Sequence, residues 1–168
     1  SAASDVYKRQ VADWVTYRAT GAKTGEFVTD PTKGDLGSYD AIRTYMWAGL
    51  MPARDRLRKP LLASLDGMLQ ATGEDGVPPE KVQVTSGAHS GAGPFGFSAA
   101  LLPYLKALGK TTLQQEQAVR VEQLMAQSLT PEAVKLAQPP YYFFVLSLFS
   151  LGYICLLYTS DAADERSS

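Results

Sequence analysis

Apolar residues along this chain recur mostly at helical spacing. Over residues 54–72, Leu57, Leu61, Leu62, Leu65, Met68 and Leu69 fall three or four apart and predict one amphipathic helix. Residues 39–51 predict a shorter helix stopped near Pro52, and the short connection between the two implies antiparallel neighbours. Residues 97–108 are small and apolar, residues 112–127 are polar and amphipathic, and residues 140–152 are strongly apolar. Within that last stretch residues 141–149 are apolar on almost every side, which predicts a buried packing helix. Such alternation suits hairpins in which inner helices are covered by outer ones. Two stretches break the pattern. Residues 11–18 read as the end of a helix, and residues 19–37, rich in Gly, Thr, Lys and Asp, as a loop or short hairpin. Residues 73–96 are long and irregular, with Pro78-Pro79 and a short extended piece over 81–85.

Composition changes this picture once the two ends are compared as DNA. Residues 1–10 can be encoded by TCG GCA GCG TCA GAT GTG TAT AAG AGA CAG. Its reverse complement, in another frame, spells Cys155-Leu156-Leu157-Tyr158-Thr159-Ser160-Asp161-Ala162-Ala163. One inverted tag, similar to a transposase adapter used for sequencing libraries, accounts for both ends. The expected division is therefore an adapter-derived segment over 1–10, one natural segment over 11–154, and a second adapter-derived segment over 155–168. The only cysteine, Cys155, then belongs to the tag, and no thiol chemistry is invoked. Setting aside Lys8, Arg9 and Arg166 leaves 13 of the 16 basic residues; setting aside Asp5, Asp161, Asp164 and Glu165 leaves 13 of the 17 acidic ones. A neutral segment gives nucleic acid and anionic membrane surfaces no electrostatic hold. The uncharged run 141–157 approaches the length of a membrane span, but its last part is tag and the remainder is too short, so no span is expected.

The richest chemistry lies in Gly37-Ser38-Tyr39-Asp40-Ala41-Ile42-Arg43-Thr44-Tyr45-Met46-Trp47. Ser38 is placed to cap a helix, and Asp40 to fall in its first turn, where the dipole favours the ionised carboxylate. Arg43 and Trp47 follow on the face of Asp40, so that a base, a cationic anchor and a ring line up. Read locally, Arg43 need do no more than pair with Asp40. Asp13, Asp30 and Asp35 are possible partners of Asp40, although their settings read as helix end and turn. Gly91-Ala92-Gly93-Pro94-Phe95-Gly96 matches the dinucleotide fingerprint in spacing, but Pro94 removes a backbone donor and no buried strand precedes it. His89 is the only histidine, which rules out a histidine cluster for metal, and its Gly/Ser-rich setting predicts an exposed loop. Ser86, Ser90 and Ser98 lack a histidine–acid partnership.

Four segments in order, Ala12-Asp13-Trp14-Val15, residues 37–47, Gly76-Val77-Pro78-Pro79-Glu80-Lys81-Val82 and residues 93–103, resemble the family 8 glycoside hydrolases. Within that family the likeness is to endo-1,4-glucanases encoded beside bacterial cellulose synthases. The resemblance implies an all-α fold, about half of an (α/α)6 barrel, a toroid of helical hairpins. It also implies an inverting endo-1,4-β-glucanase acting on cellulose-type β-1,4-glucan, without metal or cofactor. Asp40 matches the aspartate that takes a proton from the attacking water; Tyr39 and Arg43 match neighbours that orient base, water and sugar, and Trp47 is a substrate-binding candidate. The family's general acid lies in an N-terminal half that this segment lacks, which implies an inactive piece of an active parent. A periplasmic or secreted address and an association with cellulose-synthesis machinery are further implications. The alternative is a noncatalytic carbohydrate-binding protein on the same toroid.

Overall fold

The computed structural model describes residues 9–136 and 140–164, with side chains placed for 9–135 and 140–155. Of the segments expected to be tag, 1–10 and 155–168, residues 1–8 and 165–168 lie outside the described residues. Two strands come first, β1 (Val15–Ala19) and β2 (Gly25–Thr29), paired antiparallel with Tyr17 opposite Phe27 and Arg18 opposite Glu26. The helix end expected over 11–18 is therefore wrong throughout: residues 11–14 are irregular and 15–18 are strand. Val15, Thr16 and Tyr17 are β-branched or aromatic, and alternation puts Tyr17 edge-on to Phe27 at 5.2 Å on one face and the Arg18–Glu26 ion pair on the other.

The helices are α1 (Ile42–Leu50), α2 (Arg58–Ala63), α3 (Asp66–Asp75), α4 (Phe95–Ala107), α5 (Thr111–Ser128), α6 (Pro131–Leu136) and α7 (Tyr141–Asp164). The single helix expected over 54–72 is instead two. The Ser64 backbone N–H and hydroxyl both bond to the Leu61 carbonyl, which closes α2, and the Leu65 carbonyl turns inward to accept from the buried Tyr104 hydroxyl at 2.8 Å. The turn at Ser64 thus interrupts the continuous helical pattern, and Tyr104 fastens the start of α3 to the core.

Helix α4 is the centre of the molecule. Every residue from Phe95 to Leu105 is buried, and α1, α5 and α7 all pack on it. Contacts at both ends fix the directions. Tyr39 and Phe143 gather near Phe97 at the start of α4, whereas Gly49 lies against Pro103 and Tyr104 near its end, so α1, α4 and α7 run parallel as an inner layer. Glycine is required at two of these crossings. A Cβ on Gly49 would strike the backbone of Pro103 and Tyr104, and one on Gly96 would strike Phe143.

The return segments form an outer layer. Leu65 meets Tyr104 near the end of α4, while Gly76, after α3, accepts from the Gln117 side chain at 2.9 Å near Ser98 at its start. Helix α5 is fastened to α4 by a buried polar cluster in which Ser98 donates to Gln117 at 2.8 Å and Arg120 donates to Ser98 at 2.7 Å and to the Gly93 carbonyl at 2.6 Å. Inner helices backed by outer ones are the arrangement expected of a partial helical-hairpin barrel.

Helix α7 corrects the expectation of a buried packing helix. Leu146, Ser147 and Ser150 are buried against α4, but Tyr141, Leu148 and Phe149 are exposed, and the helix continues to Asp164 rather than ending near Gly152. Among the described residues, no helix is long and apolar enough to cross a membrane.

Candidate functional site

A small antiparallel sheet covers the N-terminal rim of the inner helices. Its order is β3–β4–β5, with β3 at Leu36–Gly37, β4 at Pro79–Gln83 and β5 at His89–Ala92. Strand β3 feeds α1 and β5 feeds α4, so the sheet sets where both inner helices begin. His89, expected on an exposed loop, is instead on β5 and largely covered, with Nε2 3.1 Å from the Asp75 carboxylate. The Gly91–Gly96 stretch is the passage from β5 into α4, and Pro94 occupies the N-cap position of that helix.

Ser38, Tyr39, Asp40 and Ala41 form the turn between β3 and α1; it carries Tyr39 and Asp40, brings Asp40 against Arg43, and leads into the helix on which Trp47 lies further along. Tyr39, Asp40, Arg43 and Trp47 are all solvent-exposed. Asp40 Oδ1 lies 2.6 Å from an Arg43 guanidinium nitrogen, with the two side chains 49% and 48% exposed. Trp47 is 55% exposed and tilts against Phe149 at 6.5 Å. Tyr39 is edge-on to Phe97 at 5.1 Å and stacked on Phe143 at 6.2 Å, and its hydroxyl donates to Glu80 Oε1 at 3.1 Å. Desolvation first, and then the Glu80 carboxylate, push the Tyr39 phenol above the usual tyrosine range, so it serves as a neutral donor.

Two local expectations are corrected here. Ser38 does not cap α1: its hydroxyl donates to the Glu80 carbonyl at 2.6 Å, and Ala41 occupies the N-cap position without a side-chain bond. Asp40 stands one residue before that cap rather than inside the first turn. The backbone donors go to Asp13, whose Oδ1 accepts from Ser38 N at 2.8 Å, Asp40 N at 3.1 Å and Ala41 N at 2.7 Å. Sequence spacing reads Asp13 only as a helix end, because its partners lie 25 to 28 residues away.

Tyr142 was also missed. Its hydroxyl donates to the Tyr39 carbonyl at 2.7 Å, and burial pushes its phenol above the ordinary range. The available signal was a phenol within an apolar helix, whose O–H needs a partner once covered. Among the described residues, no group of three or more His, Cys, Asp or Glu side chains is placed to hold a metal ion.

An inner layer of parallel helices backed by outer ones, with the Asp40–Arg43 ion pair at the rim where they begin, is the arrangement of a partial (α/α)6 barrel. Residues 4–154 match the model for "Glycosyl hydrolases family 8", and the chain belongs to that family. It is 50% identical over 147 residues to an endoglucanase of Pseudomonas fluorescens (strain SBW25), covering 84% of this chain and 37% of that protein. With an endoglucanase of Xanthomonas axonopodis pv. citri (strain 306) the identity is 43% over 154 residues, covering 92% of this chain and 37% of the relative. Among solved structures, the endo-1,4-D-glucanase from Vibrio fischeri ES114 superposes with a TM-score of 0.70 at 31% identity, covering 90% of this chain and 40% of that one. The chain thus spans well under half the length of these relatives.

Proposed function

We propose that this chain is part of an inverting endo-1,4-β-glucanase and that Asp40 is its general base. The observation that carries the reading is the exposed Asp40 carboxylate, paired with Arg43 beside the exposed Tyr39, in a family 8 chain whose similar relatives are endoglucanases. In an inverting hydrolase the base and acid carboxyls stand about 6.5–9.5 Å apart, leaving room for a water that attacks the anomeric carbon. Asp40 takes that water's proton while an acid beyond this segment protonates the leaving oxygen. Arg43 holds the carboxylate in place through its 2.6 Å contact. Tyr39, unable to ionise near neutrality, presents its ring edge and hydroxyl to sugar or water, and the open face of Trp47 packs against glucose C–H groups.

The substrate is β-1,4-glucan, and the site of action is the periplasm or the exterior, in association with cellulose synthesis. The segment alone is inactive, because a missing acid typically removes about 10²–10⁴ in rate before loss of the cleft is counted. The test is hydrolysis of soluble β-1,4-glucan by the uninterrupted parent enzyme, with and without Asp40→Asn. A loss of about 10²-fold or more in kcat, with the fold intact by circular dichroism, supports the base assignment. Equal activity in the variant sinks it, and a folded parent that binds glucan without turnover points to the noncatalytic reading.

A further inference from the structure

The turn that carries Asp40 is held by groups from distant parts of the chain. Ser38 and Tyr39 are tied to β4 through Glu80, and the Tyr39 carbonyl is tied to α7 through Tyr142. The Asp40 amide is tied by Asp13, which also bonds the amides of Ser38, two residues before it, and Ala41, the residue after it. Asp13 is fixed in turn, since its own N–H donates to the Leu36 carbonyl of β3 at 2.8 Å. One carboxylate oxygen therefore gathers three backbone donors around the Cα of Asp40, and α1 has no side-chain cap of its own to do so.

We propose that Asp13 is a positioning residue for the base: through Oδ1 it sets the backbone of Asp40 and hence the line from the Asp40 carboxylate to the attacking water. This rests on Asp40 being the base. Without the acceptor, three N–H groups at a partly buried turn must seek water, and the turn relaxes. A displacement of about 1 Å in a reacting group can cost about 10²-fold in rate even when substrate binding is kept. Loss of Asp13 should therefore appear in kcat rather than in KM.

The experiment compares Asp13→Ala, Asp13→Asn, Asp13→Glu and Asp40→Asn in the uninterrupted parent enzyme. Kinetics on soluble β-1,4-glucan are normalised to folded protein, and amide hydrogen exchange is followed at Ser38, Asp40 and Ala41. The expected result for Asp13→Ala is a fall in kcat of about 10–100-fold with KM within about twofold, and fast exchange at those amides. Asp13→Asn, which keeps the Oδ1 acceptor, recovers most of both. Should Asp13→Ala not fold, Asp13→Glu carries the test, because it keeps the charge and displaces the acceptor by one methylene. Positioning then requires a kcat loss in a folded enzyme.

Inactivity of Asp40→Asn together with unchanged kcat in folded Asp13→Ala or Asp13→Glu overturns the positioning role and leaves the base assignment standing. Full activity of Asp40→Asn overturns the base assignment and the positioning role that rests on it. Equal kcat losses in Asp13→Asn and Asp13→Ala, without recovery of protection, also overturn the inference.

Discussion

Tyr45 and Tyr104 are among the largest fully buried side chains, edge-on to each other at 5.5 Å in the core. Both hydroxyls are used: Tyr45 accepts from the Val11 backbone N–H at 3.1 Å, and Tyr104 donates to the Leu65 carbonyl. Burial pushes both phenols far above the ordinary value of 10.0. A folded state that holds these protons more tightly than the unfolded chain is favoured below pH of about 10 and loses that advantage as pH rises above it. Stability should fall steeply on the alkaline side. Absorbance near 295 nm should show the Tyr45 and Tyr104 ionisations appearing only together with loss of the helical signal; smooth titration of all tyrosines in a folded protein would contradict the assigned burial. At this scale the sequence was readable where a residue acts on its near neighbours, as with Asp40 and Arg43 at i, i+3. It was unreadable for Asp13 and Tyr142, whose roles depend on backbone groups brought near by the fold.

Among the elements, the close crossing of α1 on α4 has a definite stability consequence. Gly49 is buried against peptide groups of Pro103 and Tyr104, which cannot swing aside as a side-chain tip can. Gly49→Ala should therefore cost about 1–3 kcal/mol despite the better intrinsic helix propensity of alanine. The check is urea unfolding, with the midpoint lowered and the slope unchanged; a more stable variant would mean that α1 stands further from α4. Helical periodicity disclosed α1 and α5 within a few residues, and α4 was legible as a run of small and apolar residues buried on every side. It failed over 54–72, where the Ser64 N–H and hydroxyl turn back onto the Leu61 carbonyl and close the first helix. It failed over 15–18 for another reason: the two-residue alternation of Val15 and Tyr17 with Thr16 and Arg18 was present, but so short a signal is decided by pairing with β2.

The molecule as a whole presents apolar surface beside the open end of the helical layers. Leu148 is 73% exposed, and together with Leu50, Phe149, Gly152 and Tyr153 it lines a cavity of about 320 Å³ between α1 and α7. Surface of this kind favours association. Sedimentation velocity of the isolated chain should show oligomers that grow with concentration, and Leu148→Lys with Phe149→Lys should shift the distribution toward monomer. A monodisperse, cooperatively melting monomer of the unaltered chain would refute this. The helical toroid class was legible from alternating inner and outer helices and from the order of the four family-like segments. The small sheet that aligns α1 and α4 was not, because β3 has two residues and only β4 shows an extended pattern.

The bond between Tyr142 and the Tyr39 carbonyl spans 103 residues of sequence. In a cell this distance is also an interval. At about 5–20 residues per second, the ribosome releases the turn bearing Asp40 some 5–20 s before it releases the residue that completes its support. Asp13 and Glu80 are available well before then, so the nascent chain passes through a stage with the turn held on two sides and open on the third. The turn is thus fully supported only once α7 has emerged, and any contact that shields the α4 surface until then would favour its assembly without touching Asp40.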